Sequence, residues 1–528
     1  MTAPANLLHE WSRVLVGSLA RAGVRHVVAS PGSRSTPFLW AALETPELFV
    51  RTIADERSAA FFALGQAKLT GEPTLLLCTS GSAAANYLPA LVEASESATP
   101  LVVLTADRPF RLHGGGAAQT IDQTRLFGAF AREFVDLGLP DDAPGALEAL
   151  CRRATQAVAR SRHPLAGPVH INARADKPLE PRRPETVEEW QLHERAEAVL
   201  SRAPRLPAPE TRIERSELSE IARACRGAAR GLVVAGPLPA HGRRVRAATL
   251  ARALGFALLA EATSQVRFAL DAPAAEPNDA TPEVILQLGG FPVSGAWEQR
   301  LAAHANARLF VLARQGHPDP LSRAEIVLTG SVPEAVDALI ELVGEPSSVP
   351  SEPAEWGRGA VAAAVDALPR GAVLTIGNSL PIRELERCAP RAREIRVVSQ
   401  RGAAGIDGTL SLAAGAASVA GRPSALIVGD VSFLHDVGGL WAARDVEVPF
   451  AVVVVNNDGG RIFEKLPIAE LVDDDRFRHW LTPHGFDLAH AAALYGHRFA
   501  RAQTDTEVSA AVRDALERRG TTVIEVRA

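Results

Sequence analysis

The chain repeats one pattern. A short, almost wholly apolar run is followed by a turn rich in Gly, Ser or Pro, then by a stretch with apolar positions at helical spacing. A predicted helix opens it, with Leu7, Leu8, Trp11, Val14, Leu15 and Leu19 on one face. VRHVVAS (24–30), FVRT (49–52), PTLLLCTS (73–80), TPLVVLTADRP (99–109) and GPVHINA (167–173) then read as strands. A second group follows: RGLVVAGPLP, FALLAEATS, VILQLGGFP and ARLFVLARQG, within 230–316. A third runs GAVLTIGNS, IRVVSQ, ALIVGD, PFAVVVVNN and TTVIEVRA, from 371 to the end. Strands without polar alternation are covered on both faces, and helical segments separate these. The pattern predicts an α/β protein built of doubly wound parallel sheets.

Proline and charge punctuate the groups at KPLEPRRPETVEEW (177–190), RAPRLPAPETR (202–212) and VGEPSSVPSEPAEW (343–356). Read as linkers, they divide the chain into three domains, 1–183, 184–350 and 351–528. A length of 528 residues agrees with about three cores. The net charge of −5 gives no footprint for nucleic acid. Nearly all positive charge is Arg, and Lys stands only at 68, 177 and 465. The four cysteines (78, 151, 225, 388) have no metal-type spacing and fit buried thiols of a reducing compartment. No basic-then-apolar leader opens the chain, and no apolar run approaches the ~18 residues of a membrane span. A cytoplasmic protein without membrane contact is the expectation.

Chemistry concentrates at strand ends. Between ALIVGD and PFAVVVVNN lies HDVGGLWAAR, which reads as a crossover helix, so both strands end on one edge of the sheet. Asp430 and Asn457, 27 positions apart, then meet there beside the turn Asp458-Gly459-Gly460. A carboxylate, an amide oxygen and close backbone suit Mg²⁺ completed by phosphate oxygens, with a helix N-terminus favouring the anion. The bland alternative is that Asp and Asn cap helices. In the first group, Ser33, Arg34, Ser35 and Thr36 sit on a strand-to-helix turn, as an anion site or as a plain cap with a solvated Arg. Glu56 stands where a strand hands over to an apolar helix. It is either a first-turn acid, worth about a few tenths of a kcal/mol, or a partly buried proton donor or acceptor. Arg108 and Gln119 flank the glycine-rich 114–116, where His113 reads as a loop residue and not as a catalyst.

The stretch 429–461 resembles the thiamine diphosphate signature, GDG, about two dozen residues and NN. Here Val431 takes the third position, and 24 residues separate it from Asn456. Two similar outer domains around a plainer one also match the layout of thiamine diphosphate enzymes. Within them the chain closely resembles the 2-succinyl-5-enolpyruvyl-6-hydroxy-3-cyclohexene-1-carboxylate synthase family of menaquinone biosynthesis. The motifs that carry this are SPGSRSTP (30–37), DERSAAFFALG (55–65), TSGSAAANYLPA (79–90), TADRP (105–109), GNSLPIR (377–383), RGAAGIDG (401–408) and VVNNDGGRIF (454–463).

The resemblance implies thiamine diphosphate and Mg²⁺ (Mn²⁺ as a substitute) as cofactors, and a transferase that decarboxylates 2-oxoglutarate and adds the succinyl unit to isochorismate in a 1,4-addition. A different 2-oxo acid decarboxylase or carboligase of the same cofactor class is the alternative. It further implies Glu56 as the catalytic partner of the aminopyrimidine N1′. Asp430, Asn457 and the Gly459 carbonyl become metal ligands, and Ile406 the apolar prop of the cofactor, unless Ile406 is ordinary core. Ser379, Gly402, Gly429, Val431, Ser432, Gly460, Arg461 and Ile462 complete the cofactor site. Both substrates are multiply anionic, so Arg34, Arg108, Arg383 and Arg401 are expected to bind them, assisted by Ser33, Gln119 and Ser379. For each arginine the competing reading is a surface salt bridge. A homo-oligomer, at least a dimer with sites at the subunit interface, is implied as well. Two positions depart from the family pattern: Ala118 stands where Asn is common, and Gly295 where Lys follows a Pro-x-Ser element. Losing one charge-assisted hydrogen bond costs roughly 1.5–3 kcal/mol, or about 10- to 100-fold in affinity.

Overall fold

In the computed structural model, residues 4–207, 209–269, 281–292, 295–344, 357–388 and 393–527 are described. They form three parallel sheets flanked by helices. The first contains β1 (His26–Ala29), β2 (Phe49–Thr52), β3 (Thr74–Cys78), β4 (Leu101–Asp107), β5 (Phe134–Asp136) and β6 (Pro168–Arg174), in the order β2-β1-β3-β4-β6-β5. The second contains β7 (Gly231–Ala235), β8 (Ala257–Ala260), β9 (Val284–Leu288), β10 (Arg308–Ala313) and β11 (Ala324–Thr329), in the order β11-β10-β9-β7-β8. The third contains β12 (Val373–Ile376), β13 (Arg396–Ser399), β14 (Ser424–Gly429), β15 (Pro449–Asn456), β16 (Arg498–Ala502) and β17 (Gly520–Arg527), in the order β13-β12-β14-β15-β17-β16. The outer sheets therefore share one topology.

Alternate residues of a strand supply opposite faces. In β7, Val233 joins one apolar cluster with Leu286 and Phe310, while Leu232 joins another with Ile285 and Leu309. Both faces are buried, which is what near-continuous apolar strands require. Three strands escaped the sequence pattern, and all three are edges: β5, β11 and β16. Each is half-covered, with mixed exposure along it; β5 and β16 carry no apolar run, and that of β11 is only Ile326-Val327-Leu328. The crossover between β14 and β15 also differs from expectation. It is two short helices, Asp430–His435 and Gly439–Ala443, instead of one over HDVGGLWAAR.

Residue contacts divide the chain into two compact units. One is Met1–Pro209 with Gln400–Val419 and Asp436–Ala443; the other is Glu210–Ser399 with Ala420–His435 and Arg444–Ala528. The expected linker at 177–190 gives way at Val187 to a helix, Val187–Arg202, whose Leu192, Ala196 and Val199 join the core of the first sheet. A capping box of Thr186 and Glu189 starts it. Most of the later linker, residues 345–356, lies outside the described residues, as do Val293 and Ser294 beside Gly295. Gly295 itself opens the helix Gly295–Ala303. Among the described residues, no helix is long and apolar enough to cross a membrane.

In the first unit, the helix Glu56–Thr70 meets the helix Thr409–Ala420 at glycines. A Cβ on Gly65 would lie 1.9 Å from the Leu412 carbonyl oxygen, and one on Gly415 1.9 Å from that of Phe62. The small-residue run LSLAAGAA thus has a packing reason. Gln66 adds a hydrogen bond to Ser418 Oγ at 3.1 Å.

Asp436 is fully buried in the same unit. Its carboxylate accepts from Ser411 N (2.7 Å) and Ser411 Oγ (3.2 Å), and Arg57 lies 3.5 Å away. Burial pushes its pKa up to about 6 from 3.8. The folded state then holds a proton that the unfolded state releases, so this contribution to stability is complete below about pH 4 and lost as pH rises through about 6. The loss is on the order of 3 kcal/mol. Asp436→Asn, which keeps an acceptor for Ser411 N–H, is expected to flatten stability between pH 4 and 6 relative to wild type. Urea midpoints across that range measure it.

Candidate active site

In a doubly wound sheet, ligands bind beyond the strand C-termini where the strand order reverses. In the third sheet that point lies between β12 and β14. Ser379 follows β12 and Asp430 follows β14. The parallel register pairs Gly429 with Val455, so the ends of β14 and β15 coincide. A cleft of about 440 Å³, partly open to solvent, forms there. Its wall contains ten of the predicted cofactor residues: Ser379, Gly429, Asp430, Val431, Ser432, Asn457, Gly459, Gly460, Arg461 and Ile462.

Asp430 is almost fully buried and its carboxylate is held on both oxygens. Val431 N donates to Oδ1 at 2.7 Å, and Gly459 N donates to Oδ2 at 2.9 Å. The two amides divide their labour. Asn456 donates to Glu525 Oε1 at 2.8 Å and accepts from Asp458 N at 3.1 Å, so it ties the turn to β17. Asn457 Oδ1 is buried with no hydrogen-bond partner among the described residues. An orphaned acceptor beside a carboxylate is costly unless a cation uses it. Gly459 has φ +129°, and a Cβ there would lie 2.2 Å from the Leu481 carbonyl oxygen, so only glycine fits. At Gly429 a Cβ would meet nothing within 4 Å and would project into open space. The residues present fit a divalent cation carrying a diphosphate: Asp430 and Asn457 as oxygen ligands, glycine backbone alongside.

Two residues of this region carry no local sequence signal. His484 has a largely covered side chain with Nε2 3.2 Å from Asp430 Oδ2, and its backbone N–H donates to Asp458 Oδ1 at 3.0 Å. Glu384 lines the cleft, where burial pushes its carboxyl up. Arg461 braces the turn by donating from Nε to the Asn457 carbonyl at 3.0 Å. Arg383 is exposed and donates to the Ser379 carbonyl at 2.7 Å, one turn back on its own helix.

The equivalent switch point of the first sheet lies between β1 and β3. Ser33 and Arg34 follow β1 on a 3₁₀ turn. Arg34 is buried and donates to the Ala175 carbonyl at 2.7 Å. Burial, then the like charge of Arg108, holds its guanidinium below the usual range. Arg108 Nε is itself buried without a partner among the described residues. A buried Arg34 beside a half-buried Arg108 makes a place for an anion. Behind them Asp107 accepts from Arg108 N (2.7 Å) and Asn172 Nδ2 (2.9 Å). Asn172 Oδ1 accepts in turn from Gln123 Nε2 at 2.9 Å. Gln123, missed in the sequence, also accepts from Gly81 N at 3.0 Å, under the turn whose Ser80 Oγ donates to the Gln119 carbonyl at 2.9 Å. Ala118 and Gln119 are both exposed. His113 Nε2 lies 3.2 Å from the Arg108 carbonyl, in keeping with a loop role.

Glu56 is the first residue of the helix Glu56–Thr70, N-capped by Asp55, which accepts from Ser58 N at 3.2 Å. It is half-buried. Arg401, Gly402 and Ile406 are not among the residues lining the 440 Å³ cleft and fall in the first unit. Ile406 is half-buried.

Comparison with known proteins decides the family. Residues 9–126 match the family described as "Thiamine pyrophosphate enzyme, N-terminal TPP binding domain", and residues 383–526 its C-terminal counterpart. Over 99% of the chain and 93% of the relative, it is 43% identical to "2-succinyl-5-enolpyruvyl-6-hydroxy-3-cyclohexene-1-carboxylate synthase" of Sorangium cellulosum (strain So ce56). The chain belongs to the 2-succinyl-5-enolpyruvyl-6-hydroxy-3-cyclohexene-1-carboxylate synthase family. Members from Myxococcus xanthus (38% identical; 100% of the chain, 95% of the relative) and Geobacillus kaustophilus (39%; 99% and 95%) carry the same name. In fold, the synthase family member described here is similar to benzoylformate decarboxylase from Polynucleobacter necessarius, with a TM-score of 0.76, 17% identity and 98% of each chain covered. The thiamine diphosphate-dependent 4-hydroxybenzoylformate decarboxylase of Rhodococcus jostii RHA1 gives a TM-score of 0.77 at 20% identity, covering 98% of this chain and 99% of that one. This is a thiamine diphosphate-enzyme fold, with three doubly wound sheets.

Proposed function

We propose that this protein is a thiamine diphosphate-dependent transferase of menaquinone biosynthesis. It decarboxylates 2-oxoglutarate and joins the succinyl unit to isochorismate, giving 2-succinyl-5-enolpyruvyl-6-hydroxy-3-cyclohexene-1-carboxylate. The observation that carries the cofactor assignment is the orphaned Asn457 Oδ1 beside the doubly held Asp430 carboxylate. Full-length kinship with the synthase family supports the reaction. When bound, thiamine diphosphate supplies the electron sink that decarboxylation of a 2-oxo acid needs.

The chain's own residues do the rest. Asp430, Asn457 and the Gly459 carbonyl hold the metal. Ser379, Gly429, Val431, Ser432, Gly460, Arg461 and Ile462 surround the diphosphate. Glu56 holds a proton at the pyrimidine N1′ and thereby sets the protonation of the ring. Arg34 and Arg108, with Ser33 and Gln119, bind carboxylates of the substrates, and Arg383 and Arg401 serve the same end. Ile406 props the cofactor, and Gly402 belongs to the backbone that carries Ile406. We further propose three domains, 1–183, 184–350 and 351–528, with the helix Val187–Arg202 packed on the first, an assembly of at least two subunits with catalytic sites at their interface, and a cytoplasmic location, which the four buried thiols support.

Purified protein with thiamine diphosphate, Mg²⁺ and both substrates is expected to release CO₂ while isochorismate absorbance falls. No product under those conditions would sink the proposal. A panel of 2-oxo acids should show strong preference for the dicarboxylate; equal use of monocarboxylates would favour a general decarboxylase. Sedimentation of the active protein as a monomer would contradict the oligomer.

A further inference from the structure

In the first unit, a buried carboxylate sits under a backbone loop. Glu93, on the helix Leu88–Glu96, is 2% exposed. It accepts hydrogen bonds from three successive amides: Gly402 N at 3.1 Å, Ala403 N at 2.8 Å and Ala404 N at 3.4 Å. Lys68, from the helix Glu56–Thr70, pairs with it at 2.9 Å. All of these residues belong to the first compact unit.

Successive N–H groups converging on one point form a concave anion cradle. Here the chain fills the cradle with its own carboxylate. Ala404 has φ +60°, a left-handed conformation that a residue with a Cβ adopts at a cost, and the cradle needs that curl. Gly402 is seated directly on the helix end. A Cβ there would lie 2.6 Å from Ser97 N and 2.9 Å from the Glu93 carbonyl oxygen. Buried charges persist only when paired and hydrogen-bonded, and Glu93 and Lys68 satisfy both conditions. The Gly402 amide is therefore committed to Glu93 and not offered to a cofactor.

The cradle lies between Arg401 and Ile406, which flank it in the sequence. We propose that Glu93, neutralised by Lys68, is a positioning residue. It touches no ligand, and it fixes the backbone from which Arg401 reaches substrate and Ile406 reaches the coenzyme. This rests on the reading of Arg401 as a substrate arginine.

The test compares wild type, Glu93→Gln and the paired variant Lys68→Met/Glu93→Gln, which removes both buried charges and strands neither. One readout is hydrogen–deuterium exchange of the 401–408 amides. The other is KM and kcat for 2-oxoglutarate at saturating coenzyme and isochorismate. Loss of the charged acceptor is expected to speed exchange at 402–404 and raise KM by about 10-fold or more, with kcat falling by a smaller factor. Arg401→Ala should then add little to KM in the paired background, although it raises KM alone. Unchanged exchange at 402–404 overturns the proposal. So does faster exchange with unchanged KM, or exchange that rises equally over the whole chain. A wild-type protein without synthase turnover would sink the proposed function instead; the exchange result, with 2-oxoglutarate affinity from calorimetry in place of KM, still decides the role of Glu93.

Discussion

Asp430→Ala is expected to abolish Mg²⁺-dependent binding of thiamine diphosphate, weakening it about 100-fold or more. The carboxylate is the single formal negative charge among the proposed metal ligands, and a hard divalent cation bound by few protein oxygens depends on it. The loss has a second component. Asp430 Oδ2 receives Gly459 N and stands against His484, so the alanine also releases the turn that carries the third ligand. Isothermal titration calorimetry with and without Mg²⁺ measures the effect. Chelation of the metal should reproduce it in wild type and add nothing in the variant. Undiminished metal-dependent binding by Asp430→Ala would remove this cleft from the cofactor site.

Glu56→Gln carries the other large effect. Turnover should fall by about 10²- to 10⁴-fold, the range for a positioned proton donor or acceptor, while coenzyme affinity changes far less. Glu56 stands at the start of its helix with Asp55 already serving as the cap, so the fold does not need Glu56 to satisfy the helix end. Its carboxyl is half-buried. Glutamine keeps the shape and cannot take up and release a proton as a carboxyl does. Steady-state kinetics beside calorimetry separates the two quantities, and a variant as fast as wild type would exclude Glu56 from proton transfer.

The interior strands were legible because a parallel sheet covered on both faces demands unbroken apolar runs, as in β4, β14 and β15. The edge strands β5, β11 and β16 were not. An edge is half-covered, so RFARA at β16 alternates too weakly to stand out from a loop. The helix Val187–Arg202 was hidden by the prolines and charges before it, although its capping box at Thr186 and Glu189 was present. At the site, Asp430, Asn457 and the glycines announced themselves by falling at strand ends. His484, Gln123 and Glu93 did not, because each acts at long range: 54 positions separate His484 from Asp430, and 309 separate Glu93 from Gly402.

What the residues by themselves determined is the periodicity of the strands, the chemistry at their ends and the kinship with thiamine diphosphate enzymes, since each is encoded within a few neighbouring positions. Tertiary structure alone decided which of two adjacent amides was left without a partner, which charges were buried in pairs, and that Gly65 and Gly415 mark a helix crossing. Those outcomes depend on which distant backbone occupies the same few ångströms, and local pattern carries no information about that.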